Sequence, residues 1–149
     1  LNIFSDYGNS KFDRLQRAQK FSKLCKLITD QGIAVVIGVI GLSHELQKWN
    51  RKNIKNYIEI FLDVPLTELE KRDPKGIYKK CREGKMKNVA GVDLKVEFPD
   101  NPDIVLGWIN KEIPADTFNR LKKELSELEY HEWKSNDKKW NITEVIEWI

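Results

Sequence analysis

Cysteine is scarce, with Cys25 and Cys81 the only two among 149 residues, and neither a CxxC spacing nor a cluster of histidines accompanies them. A disulfide scaffold and a zinc site are therefore both unsupported, and the chain reads as cytoplasmic. No apolar run reaches the roughly 18 residues of a membrane helix, and no signal-peptide pattern opens the sequence. An excess of one charge sign is missing too. The 26 basic and 23 acidic residues leave a formal charge of +3, which gives no electrostatic ground for a nucleic-acid partner. No linker rich in Gly, Pro or Ser and no internal repeat divides the chain, so a single domain over residues 1–149 is expected, long enough to bury a core without cross-links. The first residue is Leu1 rather than Met, so the natural beginning of the polypeptide need not be in view.

What is present is a sequence of α and β signals. Leu15, Ala18, Phe21, Leu24, Cys25 and Ile28 recur at three- and four-residue steps from Asp13 onward, and Gly32 stands where a helix would stop. Residues 33–40 are continuously apolar and β-branched, as suits a parallel strand buried on both faces, and a second such run covers residues 57–63. Between them, Ser43 is placed to cap a helix running to about Asn53. Strand, helix, strand in this order predicts a crossover in a parallel sheet. Short helices are expected over 66–72 and 75–83, broken by Asp73-Pro74. A short strand over 104–106 should follow the Asn101-Pro102 turn. Asp116 can cap a helix carrying Phe118, Leu121, Leu125 and Leu128, and a last helix is expected over 143–149. Trp108, Trp133, Trp140 and Trp148 read as packing for this C-terminal helical part, 108–149.

The most distinctive wording lies between these elements. Arg72-Asp73-Pro74-Lys75-Gly76-Ile77-Tyr78-Lys79-Lys80 is followed by Lys87-Asn88-Val89-Ala90-Gly91-Val92-Asp93 and Asn101-Pro102-Asp103. This basic segment, hinged by Gly and Pro, reads as a mobile phosphate-covering lid over 75–102. With the preceding Tyr57-Ile58-Glu59-Ile60-Phe61-Leu62-Asp63-Val64-Pro65, it resembles the adenylylsulfate kinase family, and the likeness runs from about Tyr7 to Leu106. The resemblance implies an α/β P-loop nucleotide kinase fold, a parallel sheet flanked by helices. It also implies ATP and Mg²⁺, transfer of a phosphoryl group to the sugar hydroxyl of an activated nucleotide, and a homodimer. Carried over residue by residue, it makes Lys75, Lys79 and Lys87 the catalytic cations and gives Arg72 a donor-nucleotide contact. Arg14, Asn88, Gly91 and Asp93 take the acceptor side. His44 and His131 read as surface or packing residues, because no nucleophile or carboxylate partner can be placed beside either.

Phosphoryl transfer also needs a cradle of backbone N–H groups with a lysine, and no GxxxxGK followed by Ser or Thr occurs in this sequence. Gly38-Val39-Ile40-Gly41-Leu42-Ser43 lacks the lysine. The family's N-terminal strand, loop and helix are thus absent from these residues, which leaves three readings: a portion of a longer kinase, a non-catalytic relative, or a partner polypeptide supplying that half. The acceptor side departs from the family pattern as well. Family members read Gly-Phe-Ser and then Asp-Arg-x-x-Asn-x-Arg-Arg where this chain has Gly8-Asn9-Ser10 and Asp13-Arg14-Leu15-Gln16-Arg17-Ala18-Gln19-Lys20. Val89-Ala90 stands where Phe-Thr is usual, and Gly41-Leu42-Ser43 where Ser-Pro-Tyr is. With the lid's donor-side wording retained, the pattern resembles the branch that includes cytidine diphosphoramidate kinases.

Overall fold

The computed structural model describes Gly8, residues 10–40 and residues 43–128. Helix α1 (Lys11–Thr29) begins at a capping box: the Asp13 N–H donates to Ser10 Oγ (3.1 Å), and the Ser10 N–H donates to Asp13 Oδ2 (3.1 Å). Two of the donors that a helix start leaves without helical partners are thereby satisfied. Gly8 lies so close to that box that a Cβ would stand 2.7 Å from Asp13 Oδ2. The helix ends at Asp30, two residues before Gly32 at φ +77°. The expected apolar stripe is only half covered, for Ser22 is the buried residue of α1 while Leu24 and Leu27 are exposed.

Helix α2 (His44–Asn53) packs on α1, with Gln19 Nε2 donating to Glu45 Oε1 at 3.1 Å. Ser43 occupies the predicted cap position, but its hydroxyl does not cap. Glu97 takes the role from afar, accepting the His44 N–H at 3.0 Å and pairing with Lys11 Nζ at 3.0 Å. The His44 ring is likewise spent on structure, with Nε2 2.7 Å from the Phe98 carbonyl oxygen and 3.2 Å from Asp100.

The sheet has two described strands, β1 (Ile60–Asp63) and β2 (Ile104–Gly107), parallel and in register from Ile60 opposite Ile104 to Asp63 opposite Gly107. Between them lie α3 (Leu66–Arg72) and α4 (Ile77–Arg82), separated at Asp73-Pro74 as predicted. Ile104 and Leu106 point one face of β2 into the core, where Leu46 and Val89 are also buried. The predicted strand over 33–40 does not form. Those residues carry no ladder, and Val36 and Ile40 are 77% and 73% exposed. A continuous apolar run is buried only between two neighbouring strands, and among the described residues β1 and β2 are paired with each other alone. The crossover predicted from 33–40 into β1 is therefore replaced by the one from β1 to β2.

Residues Leu1–Glu112 and Ile113–Ile149 form two compact units. In the second unit, α5 (Pro114–Glu127) starts with Pro in its first turn and Ile113 at the cap, so Asp116 sits inside the first turn instead of capping it. There it favours the helix through the macrodipole. The predicted helix over 143–149 and Trp133, Trp140 and Trp148 lie outside the described residues.

The strand pair is pinned by one guanidinium. Arg51, at the end of α2, donates to Asp103 Oδ1 (3.1 Å), Asp103 Oδ2 (3.1 Å), Glu59 Oε2 (3.0 Å) and the Asn101 carbonyl (3.1 Å). Asp103 Oδ2 in turn accepts the Glu59 N–H at 2.7 Å, so the Asn101-Pro102-Asp103 turn is a clamp at the entry of both strands. Replacing Arg51→Ala is expected to lower unfolding stability by about 1–2 kcal/mol, as for a forked, charge-assisted pair that is only partly exposed. A urea midpoint unchanged in that variant would show the fork to be incidental.

Candidate functional site

The segment read as a lid is the crossover between β1 and β2, and carboxylates accepting backbone N–H groups organise it. Asp73 stands just past α3. Its Oδ1 accepts from Ile77 N–H at 2.7 Å and its Oδ2 from Lys79 N–H at 3.0 Å, capping α4 in place of Gly76, which sits in the left-handed region at φ +63°. Desolvation pushes the Asp73 carboxyl upward, but the N–H groups of Lys79, Tyr78 and Ile77 together outweigh it and hold it below the usual carboxylate range. Arg82, at the far end of α4, reaches back to Glu70 of α3 at 3.0 Å from Nε. The two short helices are thus tied at both ends.

Asp93 does the same at the lid tip. Its Oδ2 accepts from Asn88 N–H at 2.8 Å and its Oδ1 from Val89 N–H at 2.6 Å. The Val89 and Asn88 donors, with the Cys81 thiol as a further one, hold the Asp93 carboxyl below its ordinary range. Desolvation, and after it the Asp93 charge, push the Cys81 thiol up. Cys81 therefore stays protonated beside the carboxylate. The turn so formed places Asn88 at φ +63° and Gly91 at φ +81°, with Gly91 N–H donating to the Leu94 carbonyl at 3.0 Å. Gly91 is needed there for its backbone, since a side chain at that φ is strained. Val89 is 5% exposed, buried beneath the tip.

Arg14 joins this turn to α1, its Nη2 donating to the Asn88 carbonyl at 2.7 Å. Arg14, Asn88, Gly91 and Asp93, the four residues assigned to the acceptor side, are thus brought into one neighbourhood. Beside them lies a cavity of about 70 Å³ lined by Arg14, Ser43, Leu46, Ala90 and Leu94, with Lys11 and Lys95 among its cations. Lys11, Ser43, Ala90, Leu94 and Lys95 escaped the sequence reading as site residues. Lys11, Arg14, Leu15 and Ala18 share one helical face by their steps of three, four and seven, a signal from which Lys11 was readable. The other assigned residues are not gathered here. Lys75, Lys79 and Lys87 are exposed along the lid, and Lys79 lines a separate open hollow of about 390 Å³ with Glu70, Asp73 and Arg82. Arg72 bonds Glu68 Oε1 through Nε at 3.0 Å and lies 4.3 Å from the centre of the Trp108 ring. Trp108 accordingly packs against Arg72 at the end of α3, within the first unit. Among the described residues no group of three His, Cys, Asp or Glu side chains could hold a metal ion, and Cys25 and Cys81 are both free.

Because the folded Asp93 carboxyl titrates below its unfolded value of about 3.9, its contribution is present above that value and is lost as the pH falls through the lower, folded one. Exchange protection of the Val89 and Asn88 amides is therefore expected to persist from neutral pH to about pH 4 and to fall below it. In Asp93→Ala it is expected to be lost at every pH. Protection in that variant equal to the parent's would show that the carboxylate does not hold the tip.

A model of the adenylylsulphate kinase family matches residues 1–107. The adenylyl-sulfate kinase of Clostridium kluyveri is 41% identical over 103 residues, covering 68% of this chain and 52% of its own length. The cytidine diphosphoramidate kinase of Campylobacter jejuni is 36% identical over 104 residues, 70% of this chain and 61% of that relative. Among solved structures, the APS kinase of Mycobacterium tuberculosis in complex with AMPPNP and APS superimposes with a TM-score of 0.71 at 31% identity, over 81% of this chain and 71% of that one. The chain thus spans about half the length of the curated relatives it matches. With the family model matching well over half of the chain, and with the α/β fold shared, this chain belongs to the adenylylsulphate kinase family.

Proposed function

We propose that this protein is an ATP-dependent kinase that transfers the γ-phosphoryl group of ATP to the sugar hydroxyl of an activated nucleotide, adenylyl sulfate by family membership. The observation that carries the reading is the Arg14–Asn88 bond at 2.7 Å. It sets a guanidinium against the lid tip, at the mouth of a small cavity, where an anionic acceptor can replace a neutral carbonyl. A bond from Arg to a phosphate or sulfate oxygen is charge-assisted and stronger than the one it replaces. Asn88, Gly91 and Asp93 shape this acceptor side. In-line transfer leaves little covalent work for the protein beyond positioning and charge stabilisation. Lys75, Lys79 and Lys87 supply the charge from the lid, and Arg72 contacts the donor.

Mg²⁺ belongs to such a reaction as the counter-ion of the ATP phosphates, but the described residues do not fit an ion held by the protein. The phosphate cradle is not spelled by these 149 residues either, so the kinase reading depends on its being supplied, and a non-catalytic nucleotide-binding domain is the contrary case. A small-molecule nucleotide is the partner in this reading, and a cytoplasmic homodimer goes with it. No helix of the described residues is long and apolar enough to cross a membrane.

Val89 favours a second acceptor. Where the family resemblance calls for an aromatic stacking residue, this side chain is aliphatic and buried, which removes a platform for a purine. That supports cytidine diphosphoramidate, the substrate named for the Campylobacter relative.

The deciding experiment is ADP release from ATP and Mg²⁺ by the polypeptide as encoded, with adenylyl sulfate and cytidine diphosphoramidate offered separately. Turnover with adenylyl sulfate is expected, and turnover with the cytidine compound alone would transfer the assignment to it. Silence with both would leave the non-catalytic reading. In the active case, Arg14→Ala is expected to raise the acceptor KM about 10- to 100-fold, the range of a lost bond to a charged group, with the KM for ATP little changed.

A further inference from the structure

Arg72 and Trp108 come from different parts of the chain and meet where parallel strands end. Arg72 is the last residue of α3, at the root of the lid. Trp108 follows directly on β2, and its N–H donates to the Asp63 carbonyl at 2.9 Å, which fixes its backbone at the carboxyl end of β1 as well. In open α/β sheets, ligands collect outside the carboxyl ends of the strands. The guanidinium is held in two ways there: by Glu68, 3.0 Å from Nε, and by the indole ring, whose centre lies 4.3 Å from Cζ. Its side chain remains 49% exposed.

These contacts also say what kind of ligand the side chain suits. The Glu68 carboxylate already balances much of its charge, so Arg72 is a poor choice as a phosphate clamp. A guanidinium is planar, delocalised and weakly hydrated, and it stacks on aromatic faces. With the indole covering Cζ on one side and about half of the side chain exposed, the guanidinium has its other side available to a heteroaromatic ring. We propose that Trp108 is a positioning residue for Arg72, backing the guanidinium so that its opposite face stacks on the nucleobase of the donor nucleotide. The inference rests on the kinase reading and adds to it the residue that orients the donor contact. It makes the Trp–Arg pair an element of base selection, because a purine covers more of the guanidinium face than a pyrimidine does.

The test is calorimetric titration of the polypeptide as encoded with ADP and, separately, UDP, in the parent, Trp108→Ala and Trp108→Phe. Circular dichroism verifies that each variant is folded. Tighter binding of ADP than of UDP is expected for the parent. Trp108→Ala is expected to weaken ADP about tenfold and UDP much less, compressing the preference, as loss of a stacking surface does. Trp108→Phe keeps an aromatic face and is expected to hold the parental preference within about twofold. A purely structural role for Trp108 would weaken both nucleotides alike or neither, and either result overturns the proposal while leaving the kinase reading intact. Failure of the folded parent chain to bind ADP at all overturns the proposal and counts against the kinase reading as well.

Discussion

Parallel strands cannot be joined by a tight turn, and this is the constraint on which the rest of the molecule depends. Asp63 ends β1 at the same level at which Gly107 ends β2. The chain must therefore leave the carboxyl end of β1, travel back along the sheet and re-enter at Ile104. Everything read as lid is that return path. What makes the return productive is the Arg51 fork, which holds Glu59 and Asp103 at the entry of both strands. With the entries fixed, the register follows, and with the register fixed, the lid root, Asp63 and Trp108 are brought to one end of the sheet.

The lid itself is assembled differently from the sheet. Its two folded stretches are each centred on an aspartate that accepts successive backbone N–H groups, Asp73 at α4 and Asp93 at the tip. Of its residues only Val89 joins the buried apolar set. Segments held by local polar bonds, with little apolar burial, lie at the low end of local stability. Such a segment can open locally and re-form the same turns.

Local chemistry was legible in the sequence, and distant partners were not. Helical spacing found α1 and α2, and Asp73-Pro74 separated α3 from α4, because those signals act within one or two turns of chain. The strand expected over 33–40 misled because an apolar run records a preference for burial without naming the neighbours that would provide it. Ser43 looked like a cap by position, yet the oxygen that caps α2 belongs to Glu97, 53 residues away. Arg14, Asn88, Gly91 and Asp93, words of one sequence pattern, also lie together in the fold. Lys75, Lys79 and Lys87 share the pattern but not the place, since they are exposed along the crossover and no packing gathers them. The contact of Trp108 was hidden for a related reason. Its partner Arg72 is distant in sequence, and an indole ring says only that it will be covered.

The uncovered residues 33–40 have a material consequence. They form a stretch with neither proline nor charge, rich in Val and Ile and turned largely to solvent. Such segments are the raw material of cross-β stacking, and natural sheets guard theirs with lysines, prolines or bulges. The nearest charges flank this one at Asp30 and, beyond Ser43, at Glu45, too far away to interrupt pairing between copies. Whenever nothing lies against it, the colloidal behaviour of the chain is governed by this stretch and not by its charged lid.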